Sequence, residues 1–176
     1  MTGATGLGLV HVITGPGRGK TTAAFGLAMR AVGHGLRVCV IQFMKTGQST
    51  GEFASAERLG IRIVQFGTGK FIGRSGPASG DRAAAAEALA ETRRLLSSDE
   101  CDLLVLDEVN TAVYFGVVAA SEVIAAVRSR RQGVEVVLTG RNAPTEFIEF
   151  ADYVSRIESM KHPYDKGLAA REGIEW

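Results

Sequence analysis

Short runs of aliphatic and β-branched residues alternate along the chain with longer stretches whose apolar positions recur at helical spacing. That alternation predicts a parallel sheet covered by helices on both faces, because each parallel strand needs a crossover long enough to hold a helix. Residues 9–13 read as the first strand, followed by a glycine-rich turn. A helix over residues 20–32 would bury Ala24, Leu27, Ala28 and Ala31 and stop at Gly33 and Gly35. Residues 37–43 are the second strand, 52–59 a short helix and 61–66 the third strand.

Residues 67–80 hold five glycines and Pro77, a segment too long and too poor in apolar residues to be a simple connection, so it reads as a functional loop. Ser79 caps the next helix, whose Ala85, Ala88, Leu89, Thr92, Leu95 and Leu96 share one face. Residues 103–107 are a continuous apolar run ending in Asp107, as expected of a central strand. The apolar stripe at 113–118 reads as core or as a contact between two copies. Ser121 opens a helix that ends in Arg128, Arg130 and Arg131 before Gly133, and its basic last turn suits the helix dipole better than a binding patch. Residues 134–139 are a fifth strand, 145–150 a short helix and 153–157 a sixth strand candidate, while 161–176 shows no clear period.

Composition bounds this picture. The chain has 176 residues, 45% of them hydrophobic, and 20 Lys and Arg against 19 Asp and Glu for a net charge of +1. That predicts a single globular domain over 1–176 and argues against a nucleic-acid partner held by a general basic excess. Cys39 and Cys101 lie in or beside apolar runs and read as two reduced, buried thiols. His11, His34 and His162 are scattered, without zinc-ligand spacing. With no long apolar run and no secretion-like start, neither a membrane nor export is expected, and the cytoplasm is the expected compartment. The 22 glycines are the one compositional excess.

Several of those glycines fall where they carry chemistry. Gly15-Pro16-Gly17-Arg18-Gly19-Lys20-Thr21-Thr22 stands between the first strand and the first helix, where backbone N–H groups of a tight turn and a helix start point at an anion. Lys20 would neutralise phosphate charge and the Thr21 hydroxyl would ligate Mg²⁺. The general phosphate-loop pattern asks for glycine at Thr14, so this is a displaced variant that starts at Gly15. A turn that merely starts a helix would leave Lys20 and the glycine density unexplained. Asp107 and Glu108 leave the sheet at the edge where ligands bind in open α/β folds, and either carboxylate can complete a Mg²⁺ shell directly or through water. Arg30 and Arg141 are further candidates to reach the nucleotide, with surface ion pairing as the alternative for each. Hydrolysis, phosphoryl transfer and other ATP chemistry would all use this pair of features.

The chain resembles the ATP:corrinoid adenosyltransferases built on a phosphate-binding-loop fold. The resemblance rests on separated blocks: Thr14 through Gly26, Arg30-Ala31-Val32-Gly33-His34-Gly35, Val40-Ile41-Gln42-Phe43-Met44-Lys45, Leu104-Val105-Leu106-Asp107-Glu108, Leu138-Thr139-Gly140-Arg141, and Lys161-His162-Pro163-Tyr164-Asp165-Lys166-Gly167. The displaced first glycine is itself a feature of that family. The resemblance implies a P-loop NTPase-like (RecA-like) three-layer α/β fold with a mostly parallel central sheet of about six strands. It also implies transfer of the 5′-deoxyadenosyl group of ATP to the Co(I) centre of a reduced corrinoid, with triphosphate released. ATP and the corrinoid are then substrates, Mg²⁺ the cofactor, a flavoprotein a possible reductant and a homodimer the favoured assembly. Gly15 to Thr22 would cradle the phosphates, Lys20 would offset their charge, and Thr21 and Glu108, with Asp107, would hold Mg²⁺.

The chain departs from family members at Pro16 and Arg18, where they commonly carry asparagine and lysine. Pro16 has no backbone donor, whereas Arg18 keeps the charge. In well-known members the long loop presents a phenylalanine and a tryptophan to the lower face of the corrin. Here Phe71 or Ile72 would take that apolar role, since Trp176 is the sole tryptophan. The helix that precedes the first strand in longer members is expected to be missing. His162 and Tyr164 read as loop-fixing residues, since the implied chemistry transfers no proton. The alternatives that the residues alone leave open are a P-loop ATPase or small-molecule kinase, and a nucleotide-dependent switch without chemistry of its own.

Overall fold

The computed structural model describes residues 6–47, 50–70, 72 and 76–174. Its elements in chain order are β1 (Val10–Thr14), α1 (Lys20–Gly33), β2 (Val38–Phe43), α2 (Gly51–Arg58), β3 (Arg62–Phe66), α3 (Ser79–Ser97), β4 (Leu103–Asp107), α4 (Val109–Tyr114), α5 (Ala120–Arg128), β5 (Glu135–Thr139), α6 (Thr145–Phe150) and β6 (Tyr153–Arg156). A 3₁₀ turn at Pro163–Lys166 follows, its start fixed by His162 Nδ1, which accepts from the Tyr164 N–H at 3.2 Å.

The six strands form one sheet in the order β3-β2-β4-β5-β1-β6, and every pairing is parallel. Alternate residues of each strand feed two separate cores, as the pleat dictates. Cys39, Ile41, Phe43, Leu104, Leu106, Val136 and Leu138 pack under α3, α4, α5 and α6, with Phe147 fully buried. Val38, Val40, Leu103, Val105 and Val137 face the other way, onto α1 and α2 through Ala24, Ala28, Ala31 and Ala56. Small alanines on α1 let that helix lie close to the sheet. β4 is buried over its whole length, which agrees with its unbroken apolar run.

The order β4-β5-β1 places one strand between the strand that feeds the glycine loop and the strand that ends in Asp107. The loop and the acidic pair therefore leave the same edge of the sheet with β5 between them. α1 ends as its glycines predicted: Gly35 takes the left-handed conformation at φ +77°, and the Leu36 N–H reaches back to the Ala31 carbonyl at 3.0 Å.

Four expectations change. Helix α4 has no counterpart in the sequence reading; the stripe at 113–118 proves to be its last turn and a following core segment, with Val117 and Val118 buried. Ser79 and Ser121 are not caps. α3 starts one residue and α5 two residues earlier than such caps would allow, behind Ala78 and Ala119, whose N–H groups are taken by the Asp81 and Glu122 carboxylates at 2.9 and 3.4 Å. α5 stops at Arg128, and the guanidiniums of Arg130 and Arg131 are spent on backbone carbonyls of Val127, Val134, Ser98 and Cys101. The described part of the long loop is anchored, with Ile72 packed in the core and Thr68 bonded to Asp81 at 2.6 Å.

Cys39 and Cys101 are buried free thiols in one core. Their mutual contact, with burial, pushes Cys101 up and keeps it protonated and unreactive.

Candidate active site

Among the described residues, the non-glycine positions with left-handed backbone are Met44, Glu108 and Asn142, at φ +58°, +61° and +53°. All three follow the C-terminal ends of strands, and strain of this kind collects at functional edges. The glycine loop opens onto the same edge. Gly19 caps α1 at φ +111° with no side-chain bond to its first turn. The first backbone bond back into the helix is Ala23 N–H to Gly19 O at 2.8 Å, so the amides of Lys20, Thr21 and Thr22 have no acceptor within the helix. They form the anion-facing end expected from the sequence.

Two loop glycines have an additional reason for being glycine. A Cβ on Gly15 would fall 2.4 Å from Ile157 O, and one on Gly17 would fall 2.6 Å from Glu158 O. The chain leaving β6 lies directly against the loop, and Gly17 N–H donates to Ile157 O at 2.8 Å. That amide is spent on the protein. Lys20 is buried and its Nζ donates to Gly17 O at 2.6 Å. Burial, reinforced by the positive charge of Arg141, holds the Lys20 ammonium below the ordinary lysine value against the pull of Glu108 and Asp107. A cation placed this way is poised to gain from an incoming anion.

Asp107 is fully buried at the end of β4. Its Oδ1 accepts from the hydroxyls of Thr21 at 2.9 Å and Thr139 at 2.6 Å, and its Oδ2 accepts from Gln42 at 3.0 Å and Lys45 at 2.9 Å. Burial alone would push this carboxyl up. The Lys45 charge and the bonds from Lys45, Thr139 and Thr21 outweigh burial and hold it below the ordinary carboxylate value. Lys45 is shifted the opposite way: burial lowers it, but Asp107, with Glu52 and Glu108, lifts it above the ordinary lysine value. With four donors on two oxygens, Asp107 orients Thr21 and does not face open space. The sequence alone leaves it able to complete a Mg²⁺ shell directly or through water.

Glu108 begins α4 in its left-handed turn. Its N–H donates to Thr139 Oγ1 at 3.1 Å, and its Oε2 accepts from Thr111 at 2.5 Å. Thr111 Oγ1 also receives the Arg141 N–H at 3.0 Å, which places Arg141 on this edge. Lys20, Thr21, Asp107, Glu108 and Arg141 are thus brought together. Pro16 and Arg18 are exposed at the loop's tip, where the Arg18 guanidinium donates to Ile174 O. Arg30 is not brought in; it lies in the last turn of α1, about 15 Å along the helix from Lys20. Ile72 is 5% exposed and held in the core. Phe71, its expected companion in meeting the corrin, lies outside the described residues.

The residues that the sequence reading missed as participants are Gln42, Lys45, Thr139, Thr111 and Asn110. Gln42 and Thr139 continue a polar row across the sheet, in which Gln65, Gln42 and Asp107 are register neighbours, Gln65 donates to Gln42 at 2.8 Å and Thr139 donates to Asp107 at 2.6 Å, and Lys45 reaches that row from two residues beyond β2. The available signal was a polar residue at or next to the end of an apolar run, Gln42 in β2, Asp107 in β4 and Thr139 in β5.

Residues 6–176 match the family described as ATP:corrinoid adenosyltransferase BtuR/CobO/CobP. The chain is 37% identical over 169 residues to a corrinoid adenosyltransferase of Escherichia coli K12, covering 96% of this chain and 86% of that one. It is equally similar, with the same coverage, to the corrinoid adenosyltransferase CobA of Salmonella typhimurium LT2. Among solved structures, the flagellar accessory protein FlaH from Methanocaldococcus jannaschii superposes with a TM-score of 0.55 at 11% identity, over 85% of this chain and 71% of that one. That likeness concerns the P-loop NTPase-like fold alone.

Proposed function

The chain belongs to the ATP:corrinoid adenosyltransferase family, and from that premise we propose how its own residues carry the transfer of the 5′-deoxyadenosyl group from ATP to a reduced corrinoid. The Co(I) electron pair forms the bond to the ribose C5′ while the C5′–O bond breaks, and its electrons leave with triphosphate. Cobalt is the nucleophile, so the protein's tasks are to hold C5′ above it, to stabilise the leaving charge and to exclude water. The observation that carries this reading is the convergence of Lys20, Thr21 and Glu108 at the edge reached by the opening amides of α1.

In this reading the amides of Lys20 to Thr22 and the Lys20 ammonium receive the triphosphate, which takes the place of Gly17 O on Lys20 Nζ. Arg141 and Arg18 add positive charge around the same edge. The donor set fits Mg²⁺, a hard cation: a threonine hydroxyl oriented by Asp107, and a glutamate carboxylate with one oxygen held by Thr111. Thr21 and Glu108 would be its protein ligands, and Mg²⁺ would supply charge neutralisation on the leaving phosphates.

The reading includes a homodimer, supported by the exposed edge strand β6 with Tyr153 and Val154 at 55% and 45% exposure. It also includes an external electron donor such as a flavoprotein, because the cobalt must arrive as Co(I). A cytoplasmic location is supported by the two buried free thiols.

Mixing the protein with ATP, Mg²⁺ and chemically reduced corrinoid should convert the Co(I) spectrum to that of the adenosylated product, and Lys20→Ala should abolish the conversion. ATP binding without any corrinoid-dependent turnover would overturn the reading.

A further inference from the structure

Asn110 lies in the first turn of α4, two residues past Glu108, and is fully buried. Its side-chain amide donates to Ile13 O at 3.3 Å and to Gly140 O at 3.2 Å. Ile13 belongs to the strand that feeds the phosphate loop, and Gly140 directly follows β5 and precedes Arg141. Gly140 N–H also donates to Ile13 O at 3.2 Å, so three chain segments meet at this point. The fit leaves no slack: a Cβ on Gly140, whose φ is +133°, would lie 3.0 Å from Asn110 Cβ and 2.8 Å from Thr111 N.

The remaining polar atom of the side chain, Oδ1, is buried without a partner among the described residues. An unsatisfied buried acceptor destabilises a fold, and an apolar residue of similar shape would avoid that cost. Packing therefore gives no reason for an amide here. Its two donors do, because they tie the helix that begins at Glu108 to the strand that leads into Lys20 and Thr21.

We propose that Asn110 is a positioning residue that fixes the spacing between the phosphate loop and Glu108, and so governs Mg²⁺-linked binding of the triphosphate without touching either ligand. The inference rests on the reading of Thr21 and Glu108 as the Mg²⁺ ligands. Two oxygens carried by different elements must converge on one small ion at about 2.1 Å, in near-octahedral geometry. Sites of this kind tolerate displacements of only about 0.5 Å in their supporting groups.

The test is calorimetric titration of ATP, with and without Mg²⁺, into the wild-type protein, Asn110→Leu and Asn110→Thr, with thermal unfolding of each recorded alongside. Asn110→Leu should keep Mg²⁺-free ATP affinity within about two-fold and lose about ten-fold of the gain that Mg²⁺ confers, the lower end of what outer-sphere changes do to metal sites. Asn110→Thr, which restores one donor, should recover part of that loss, and it decides the matter by the same criterion if the leucine variant does not fold. Unchanged Mg²⁺-linked affinity would overturn the inference, as would an equal loss with and without Mg²⁺. If the wild-type protein itself gains nothing from Mg²⁺, the assignment of Thr21 and Glu108 fails first and takes the inference with it.

Discussion

Lys20 holds its positive charge in a buried position where the neighbouring Gly17 carbonyl is its hydrogen-bond partner. Because burial and Arg141 lower its pKa and a bound triphosphate would raise it, ATP binding should take up protons at alkaline pH. Titrations in two buffers of different ionisation enthalpy should show that uptake in the wild-type protein and none in Lys20→Met. The lysine and the threonine beside it were legible in the sequence, because Gly-Lys-Thr opening a helix after an apolar strand has a direct mechanical meaning. The role of Asp107 was only half legible. Its position at the end of an apolar strand marked it, but the two hydroxyls, the amide and the ammonium that fill its oxygens come from four other segments. Spacing along the chain does not reveal such convergence. Asp107→Asn should lower stability by about 3–5 kcal/mol in chemical denaturation, because it removes the buried carboxylate that pairs with Lys45 at 2.9 Å and leaves it only Glu52 at 3.8 Å.

At the scale of elements, the order β4-β5-β1 does most to build the site, since it sets the acidic pair one strand away from the loop on a common edge. The inner strands β1, β2, β4 and β5 were readable because each is a short, mostly aliphatic run in a parallel sheet covered on both faces; β3 and the exposed β6 are the sheet's edges. Helix α4 was not readable. Its six residues are too few to display a helical period, and a single residue, Glu108, separates them from the end of β4. The serine caps failed because acidic residues farther into the first turn did the capping instead. The loop glycines were read as room for phosphate, yet Gly15 and Gly17 also make room for the backbone at Ile157 and Glu158. Gly17→Ala should therefore cost about 1–3 kcal/mol of stability in addition to weakening ATP binding, as overpacking of a close contact does. Denaturation in the absence of nucleotide checks the first effect, and a wild-type midpoint would show that the loop is free of the backbone at Ile157 and Glu158.

For the whole molecule, the two cores and the fully parallel sheet follow from alternation that the chain displays openly. What lies beyond β6 follows from contacts that have no local signature. The Asp107–Lys45 pair links the sheet edge to stability, with opposite signs at the two ends of the pH scale. The depressed carboxyl contributes stability above its ordinary value of about 3.9, lost as the solution is acidified through the folded value; the raised ammonium contributes below about 10.4, lost as pH rises through its own. Stability of the wild-type protein should be flat between those limits as far as this pair is concerned, and Asp107→Asn should show a shallower acid decline.

The most direct measurement of the central claim is phosphorus NMR of the products formed from ATP, Mg²⁺ and Co(I) corrinoid. Adenosyl transfer through attack on C5′ predicts intact triphosphate, equimolar with the adenosylated corrinoid. ADP with orthophosphate, and no new cobalt–carbon bond, would contradict it.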